Sequence, residues 1–187
     1  MASRLINLCF TDLQQLLLNR SDVGATDVTD STSTGLPNPI LVTRVDERRF
    51  GLPATAVERV FAVVEITPLS DAPGVIAGVV NIHGAVLPVL DLRRRLGRPS
   101  RPSRPTDKLV VVNAPARRIV LLVDAVEGVE EVPEAALVAL DDLVPGIGMV
   151  GRIIAGHEGL IVVHDPERLL SGAEEGDLER ALEELVE

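Results

Sequence analysis

Three histidines, His83, His157 and His164, are the residues best suited by type to acid–base work or metal ligation. Their spacing defeats both. No pair stands at HxxxH or HExxH separation, so no two imidazoles share a helix face toward one zinc ion. His83 and His157 fall in two comparable Gly turns, and a metal held by both would have to bridge separate parts of the fold. The single cysteine, Cys9, excludes an internal disulfide and a cysteine-based zinc site. There is no G-x-S-x-G elbow, no Walker loop and no G-x-G-x-x-G. The Gly-rich PGIGMVG at 145–151 precedes a strand, whereas a phosphate cradle needs a helix N-terminus after the loop, so it reads as a turn. Asp91, Asp124 and Asp165 each end an apolar run, where Asp caps the turn that follows. The sequence therefore predicts a protein that is not an enzyme and uses no cofactor or metal.

Composition narrows the partners. The chain has 187 residues with no Trp, no Tyr and three Phe, which excludes an aromatic cage or a base-stacking platform. A net charge of −10 argues against a phosphate-tracking groove, because nucleic-acid binding rests on clustered cations. At 46% hydrophobic residues the chain can bury a real core, built from Val, Leu, Ile and Ala. No apolar run reaches the ~18 residues of a membrane span. The N-terminus lacks a signal-peptide pattern, so the expected compartment is the cytosol.

The elements follow from patterning. Residues 4–20 place Leu5, Leu8, Cys9, Leu13, Leu16 and Leu17 on one helical stripe, and residues 21–39 are a polar Ser/Thr/Asp/Gly linker. From Ile40 to Leu170, short Val/Ile/Leu runs alternate with Gly, Pro, Asn and Asp turns, which predicts β-strands in barrels or sandwiches. Short helices are expected at Ala54–Val60, after Asp91 and after Asp165. Residues 171–187 carry seven acids and one Arg, with Leu178, Ala181, Leu182, Leu185 and Val186 at helical spacing, an acidic C-terminal helix read as a solvated cap. Six arginines fall within 93–104, which reads either as a docking patch for an acidic partner or as a solvated loop balancing the acidic body.

An internal repeat organises the middle. RRFGLPATAVERV (48–60) aligns without gaps on RRIVLLVDAVEGV (117–129), with seven of thirteen positions identical, among them Arg49/Arg118, Val57/Val126, Glu58/Glu127 and Val60/Val129. GVVNIHGAVLPVLDLRRRL (78–96) likewise resembles GRIIAGHEGLIVVHDPERLL (151–170). Two halves with the same order of elements predict two small barrels related by a pseudo-two-fold axis, with a cleft between them as a partner site.

These residues carry a resemblance. GVIAGVVNIHGAVLPVLDLRRRLG (74–97) resembles the signature of the CheW-like domain family, and the flanking repeats resemble that family's strand-plus-short-helix unit and its second barrel. The resemblance covers about 40–170. It implies a mainly β fold of two intertwined SH3-like five-stranded β-barrels with a few short helices and terminal helices. Barrel one would span about 40–104 and barrel two about 105–170, with strand exchange between them left open. It also implies an adaptor that couples chemoreceptors to a CheA-type histidine kinase, placed in the cytoplasm at receptor arrays on the inner face of the membrane. An adaptor of the same fold in a type IV pilus or gliding pathway is the alternative. The expected partners are the kinase's regulatory domain and the receptor's cytoplasmic tip. Groove and rim positions carried over are Val57, Gly78, Asn81, Gly84, Val126 and Val129. The family's acid–Arg pair maps onto Arg59 and His83, with Glu58 one residue earlier. Two cations there would repel, which favours the neutral form of His83, so either Glu58 reaches across or the contact is lost.

Overall fold

The computed structural model describes residues 39–132, 137–139, 150–156 and 159–186. The N-terminal stripe with Cys9, residues 21–38 of its linker, residues 145–149 of the PGIGMVG turn, and His157 lie outside the described residues. Among the described residues eleven strands run in chain order: β1 (Ile40–Val45), β2 (Arg48–Pro53), β3 (Val57–Ala62), β4 (Ile76–Ile82), β5 (Ala85–Asp91), β6 (Lys108–Asn113), β7 (Arg118–Val123), β8 (Ala125–Glu130), β9 (Leu137–Ala139), β10 (Val150–Gly156) and β11 (Gly159–His164). A four-residue helix α1 (Leu92–Arg95) follows β5, and a helix α2 (Gly172–Val186) closes the chain.

The strands form two sheets, ordered β8-β1-β2-β11-β10-β9 and β3-β6-β7-β5-β4. This is the mainly β fold with two barrel-like sheets, although the first sheet carries β9 as a sixth strand. The sheets do not follow the contiguous halves 40–104 and 105–170. The first hairpin of one half, β1–β2, joins β8, β10 and β11 of the other, while β6–β7 joins β3, β4 and β5. Neither half can therefore bury its own hairpin. The repeat is visible in the irregularities as well. A bulge leaves Glu58 unpaired in β3 against β6, and Glu127 unpaired in β8 against β1, at equivalent repeat positions.

One expected helix is shorter than foreseen. Only Ala54–Ala56 forms a single 3₁₀ turn, and Val57 already starts a strand. Pro53 cannot donate into a ladder, and the V-E-R-V-F alternation that follows suits a half-buried strand better than a helix. The other two turns form: Asp91 accepts from the Arg93 amide at 2.9 Å and Asp165 from the Glu167 amide at 3.0 Å, so both act as caps.

Apolar side chains gather into three cores. Val80, Leu87, Val89, Leu109, Val111, Val120 and Leu122 fill the five-stranded sheet, and Ile40, Val42, Val132, Ile154, Ile161 and Val163 fill the other. The largest core is shared, drawing on both sheets through Leu41, Phe50, Leu52, Val57, Leu90, Val110, Leu121 and others. His164 belongs to this packed interior. It is 2% exposed with its ring stacked 5.4 Å from Phe50, which places it in the fold rather than in a site.

Helix α2 also closes on the shared core. Its start is a capping box: the Glu174 carboxylate accepts from the Ser171 amide at 2.8 Å, and the Glu174 amide donates back to Ser171 Oγ at 3.3 Å. Leu178 is fully buried and Ala181 nearly so, while Arg95 holds Glu174 at 2.9 Å and Arg117 reaches Glu175. This helix is a docked element, not a solvated cap.

Candidate partner-binding site

The repeat's identical residues pair with one another. Arg49 donates to Glu127 at 2.7 Å, and Arg118 lies 3.7 Å from Glu58. Since Arg49 matches Arg118 and Glu58 matches Glu127, this is one ion pair made twice with the halves exchanged. The bulges turn both glutamates out of their ladders toward these arginines. Glu58 is thereby committed to Arg118 and does not reach His83.

Arg59 and His83 meet directly. Arg59 Nη1 lies 2.9 Å from His83 Nε2. A guanidinium has only donors, so a hydrogen bond here requires Nε2 as the acceptor, with the ring proton on Nδ1. The two side chains meet at hydrogen-bond distance instead of standing apart. A two-residue turn presents the ring: His83 has φ +52° and Gly84 φ +88° between paired Ile82 and Ala85. Histidine tolerates this left-handed region better than most residues. Asn81 braces the turn, its Oδ1 accepting from the Gly84 amide at 2.9 Å. Arg59, Asn81, His83 and Gly84 thus form one exposed cluster where β3 faces the β4–β5 hairpin.

The apolar positions divide. Val126 and Val129, on edge strand β8, are half-buried against the shared core and keep part of their surface. Val57 is only 6% exposed and is a core residue. Gly78 is buried too, for a different reason. With φ +149°, any Cβ there would stand 2.1 Å from the Thr67 carbonyl oxygen. That close approach lets Thr67 and Val79 exchange hydrogen bonds of 2.9 and 2.8 Å, fastening the β3–β4 connector to β4.

Sequence reading overlooked an ion network. Arg93 donates to Asp46 at 2.7 Å and to Asp124 at 2.9 Å, Arg98 to Asp46 at 3.0 Å, and Arg101 forks onto Asp107 at 2.8 and 2.9 Å while also reaching Asp124. Asp124 is therefore an inter-element tie rather than a turn cap, and it also receives the Asp46 amide at 2.7 Å. Arg94 hydrogen-bonds the Gly74 and Ile76 carbonyls, and Arg95 holds α2. With five of the six arginines of 93–104 engaged inside the protein, this stretch is not a free docking patch. The signal was available in sequence as an acid-poor run of Arg facing an acid-rich body, but the matching acids lie far away along the chain. Arg93 and Arg98 hold the Asp46 carboxyl below the usual range. For Asp107, burial pushes upward, yet the Arg101 fork and the Arg104 amide outweigh it and the net direction is down.

Exposed apolar surface was also missed. Val64 and Val86 are about half exposed beside partly buried Phe61, Ile82 and Ala85. Among the described residues no three His, Cys, Asp or Glu side chains group as a metal site, and no helix is long and apolar enough to cross a membrane.

This architecture of two strand-exchanged sheets around a shared core can be compared with known proteins. The model of the CheW-like domain matches residues 39–174, which takes in both sheets and the start of α2. The chain belongs to the CheW-like domain family. It is similar to Chemotaxis protein CheW of Rhizobium meliloti (strain 1021), at 30% identity over 104 residues, covering 56% of this chain and 67% of that protein. It is also similar to Protein FrzA of Myxococcus xanthus, at 34% identity over 105 residues, covering 56% of this chain and 62% of that protein. Among solved structures, the crystal structure of scaffolding protein TtCheW from Thermoanaerobacter tengcongensis superposes with a TM-score of 0.64 at 26% identity. It covers 69% of this chain and 89% of that one. In this CheW-like chain helix α2 runs on past the matched region.

Proposed function

We propose that the protein is a non-enzymatic adaptor that couples chemoreceptors to a CheA-type histidine kinase in chemotaxis signalling. It would act in the cytoplasm, where receptor arrays meet the inner face of the membrane. The observation that carries the reading is the CheW-like match over 39–174, which spans the shared core and both repeat edges. The β8 edge supplies half-buried Val126 and Val129 as an apolar contact for a receptor tip. The polar cluster of Arg59, Asn81, His83 and Gly84 is a second exposed surface, suited to the kinase's regulatory domain. Buried Val57 and Gly78 shape these surfaces from beneath, and Glu58 fixes β3 through Arg118.

The similarity to FrzA favours a second reading, an adaptor of the same kind serving a non-flagellar pathway such as pilus or gliding motility, with a different partner. Size-exclusion chromatography separates the two. Co-elution with a CheA-type regulatory domain and a receptor-tip hairpin supports the first. Co-elution with the kinase domain but not with the tip supports the second. Failure with both rejects coupling altogether.

A further inference from the structure

We propose that Arg59 and His83 form a proton-operated latch between the two open edges of the five-stranded sheet. The sheet order places β3 at one end and β4 at the other, and no ladder joins them. Across that gap the described hydrogen bonds are the Thr67–Val79 pair on the connector and the Arg59–His83 bond from β3 to the hairpin tip. Behind them lie Phe61, Ile66, Ile82 and Ala85, only partly covered and packed on the sheet's own core. Loosening the edge would uncover these side chains.

The contact has one permitted protonation state. Arg59 can only donate, so His83 must present a lone pair on Nε2. Protonation removes that lone pair and sets two cations about one hydrogen-bond length apart. The neighbouring groups do not compensate. On β3, Glu58 is engaged by Arg118. From Ile76 to Leu90, β4, the turn and β5 carry no charged residue besides His83 itself. The connector carries Glu65 and Asp71, and neither contacts the ring. Histidine is the side chain whose charge changes within the physiological pH range, so it suits this role. Where the family resemblance sets a pair of permanent opposite charges, this chain has a contact that exists in one protonation state only. Regulation of partner binding by this latch rests on the proposed adaptor function; the latch itself does not.

The test uses the full ¹⁵N-labelled chain at about pH 7.5 and about pH 5.5, which bracket ordinary imidazole titration. Imidazole ¹⁵N shifts report which ring nitrogen is bare. Amide hydrogen exchange of Thr67 and Val79, corrected for intrinsic pH dependence, reports edge opening. In the native chain Nε2 should be bare at the higher pH, and corrected exchange should rise about fivefold or more at the lower one. His83→Gln offers an uncharged acceptor of similar reach, and Arg59→Gln removes the fixed cation, so both should lose the pH response. An unchanged native chain, or an equal response in either variant, overturns the latch. Binding of a CheA-type regulatory domain at both pH values is measured alongside. Absent binding with an intact exchange response would refute the adaptor reading and leave the latch standing.

Discussion

Val57, Val126 and Val129 separate two jobs that an apolar side chain can perform at one site. Val57 is buried in the shared core, so Val57→Asp should unfold the protein, at a cost of several kcal/mol for an unpaired buried charge. Val126→Asp and Val129→Asp start from half-buried positions on an edge strand, so melting temperature should stay near that of the native chain. Thermal melts of the three variants check this, and equal destabilisation would make β8 a core strand rather than a contact surface. Asp107 gives a second residue-scale prediction. Its folded-state pKa is depressed, so its stabilisation is complete above the unfolded aspartate value of about 3.9 and is lost as pH falls through the lower folded value. Asp107→Asn should flatten the acid limb of stability measured by urea melts from about pH 5 to about pH 2. It should also cost up to about 3 kcal/mol at neutral pH by leaving Arg101 short of its partner. Residue types were readable here, but pairing was not. A neutral His83 was foreseen, but the Arg59–His83 contact was expected to be lost unless Glu58 bridged it, because the ring's acceptor lone pair was not counted.

At the scale of elements, β3 and α2 show which local signals prevail. The P-A-T-A segment carries a helical propensity that lasts one 3₁₀ turn, and then ladder pairing with β6 takes over from Val57. Tertiary pairing of this kind is invisible in a short window. For α2, the Leu178, Ala181, Leu182 stripe was legible and the helix was foreseen, while the Ser171–Glu174 capping box emerged only from the structure. Its docking was not, because the apolar surface it covers is assembled from both halves. Leu178→Ala should therefore destabilise the protein by about 2–5 kcal/mol, as for other fully buried leucines. A solvated helix would show almost no change in the same denaturant titration. Glu174 adds to this at neutral pH. Burial pushes its carboxyl upward, but Ser171 and Arg95 bring it down overall, so its contribution also fades only in acid.

For the whole molecule, the repeat revealed two similar halves but placed the boundary between barrels along the chain. Alignment reports which residues correspond, not which strands hydrogen-bond, and strand exchange leaves the repeat's order untouched. The reciprocal pairs Arg49–Glu127 and Arg118–Glu58 explain why those two identities stand out: each half supplies what the other half's pair needs. Because each sheet takes its first hairpin from the opposite half, fragments 39–104 and 105–186 should each be unfolded alone by circular dichroism and gain strand signal when mixed. Independent folding of either fragment would contradict the exchanged topology. The adaptor reading is tested most directly by isothermal titration of a chemoreceptor-tip helical hairpin into the native chain and into Val126→Asp. The account predicts saturable binding to the native chain and at least about tenfold weaker binding to the variant, a difference of about 1.4 kcal/mol, with unchanged melting. No binding to the native chain, or equal affinity for both, would contradict it.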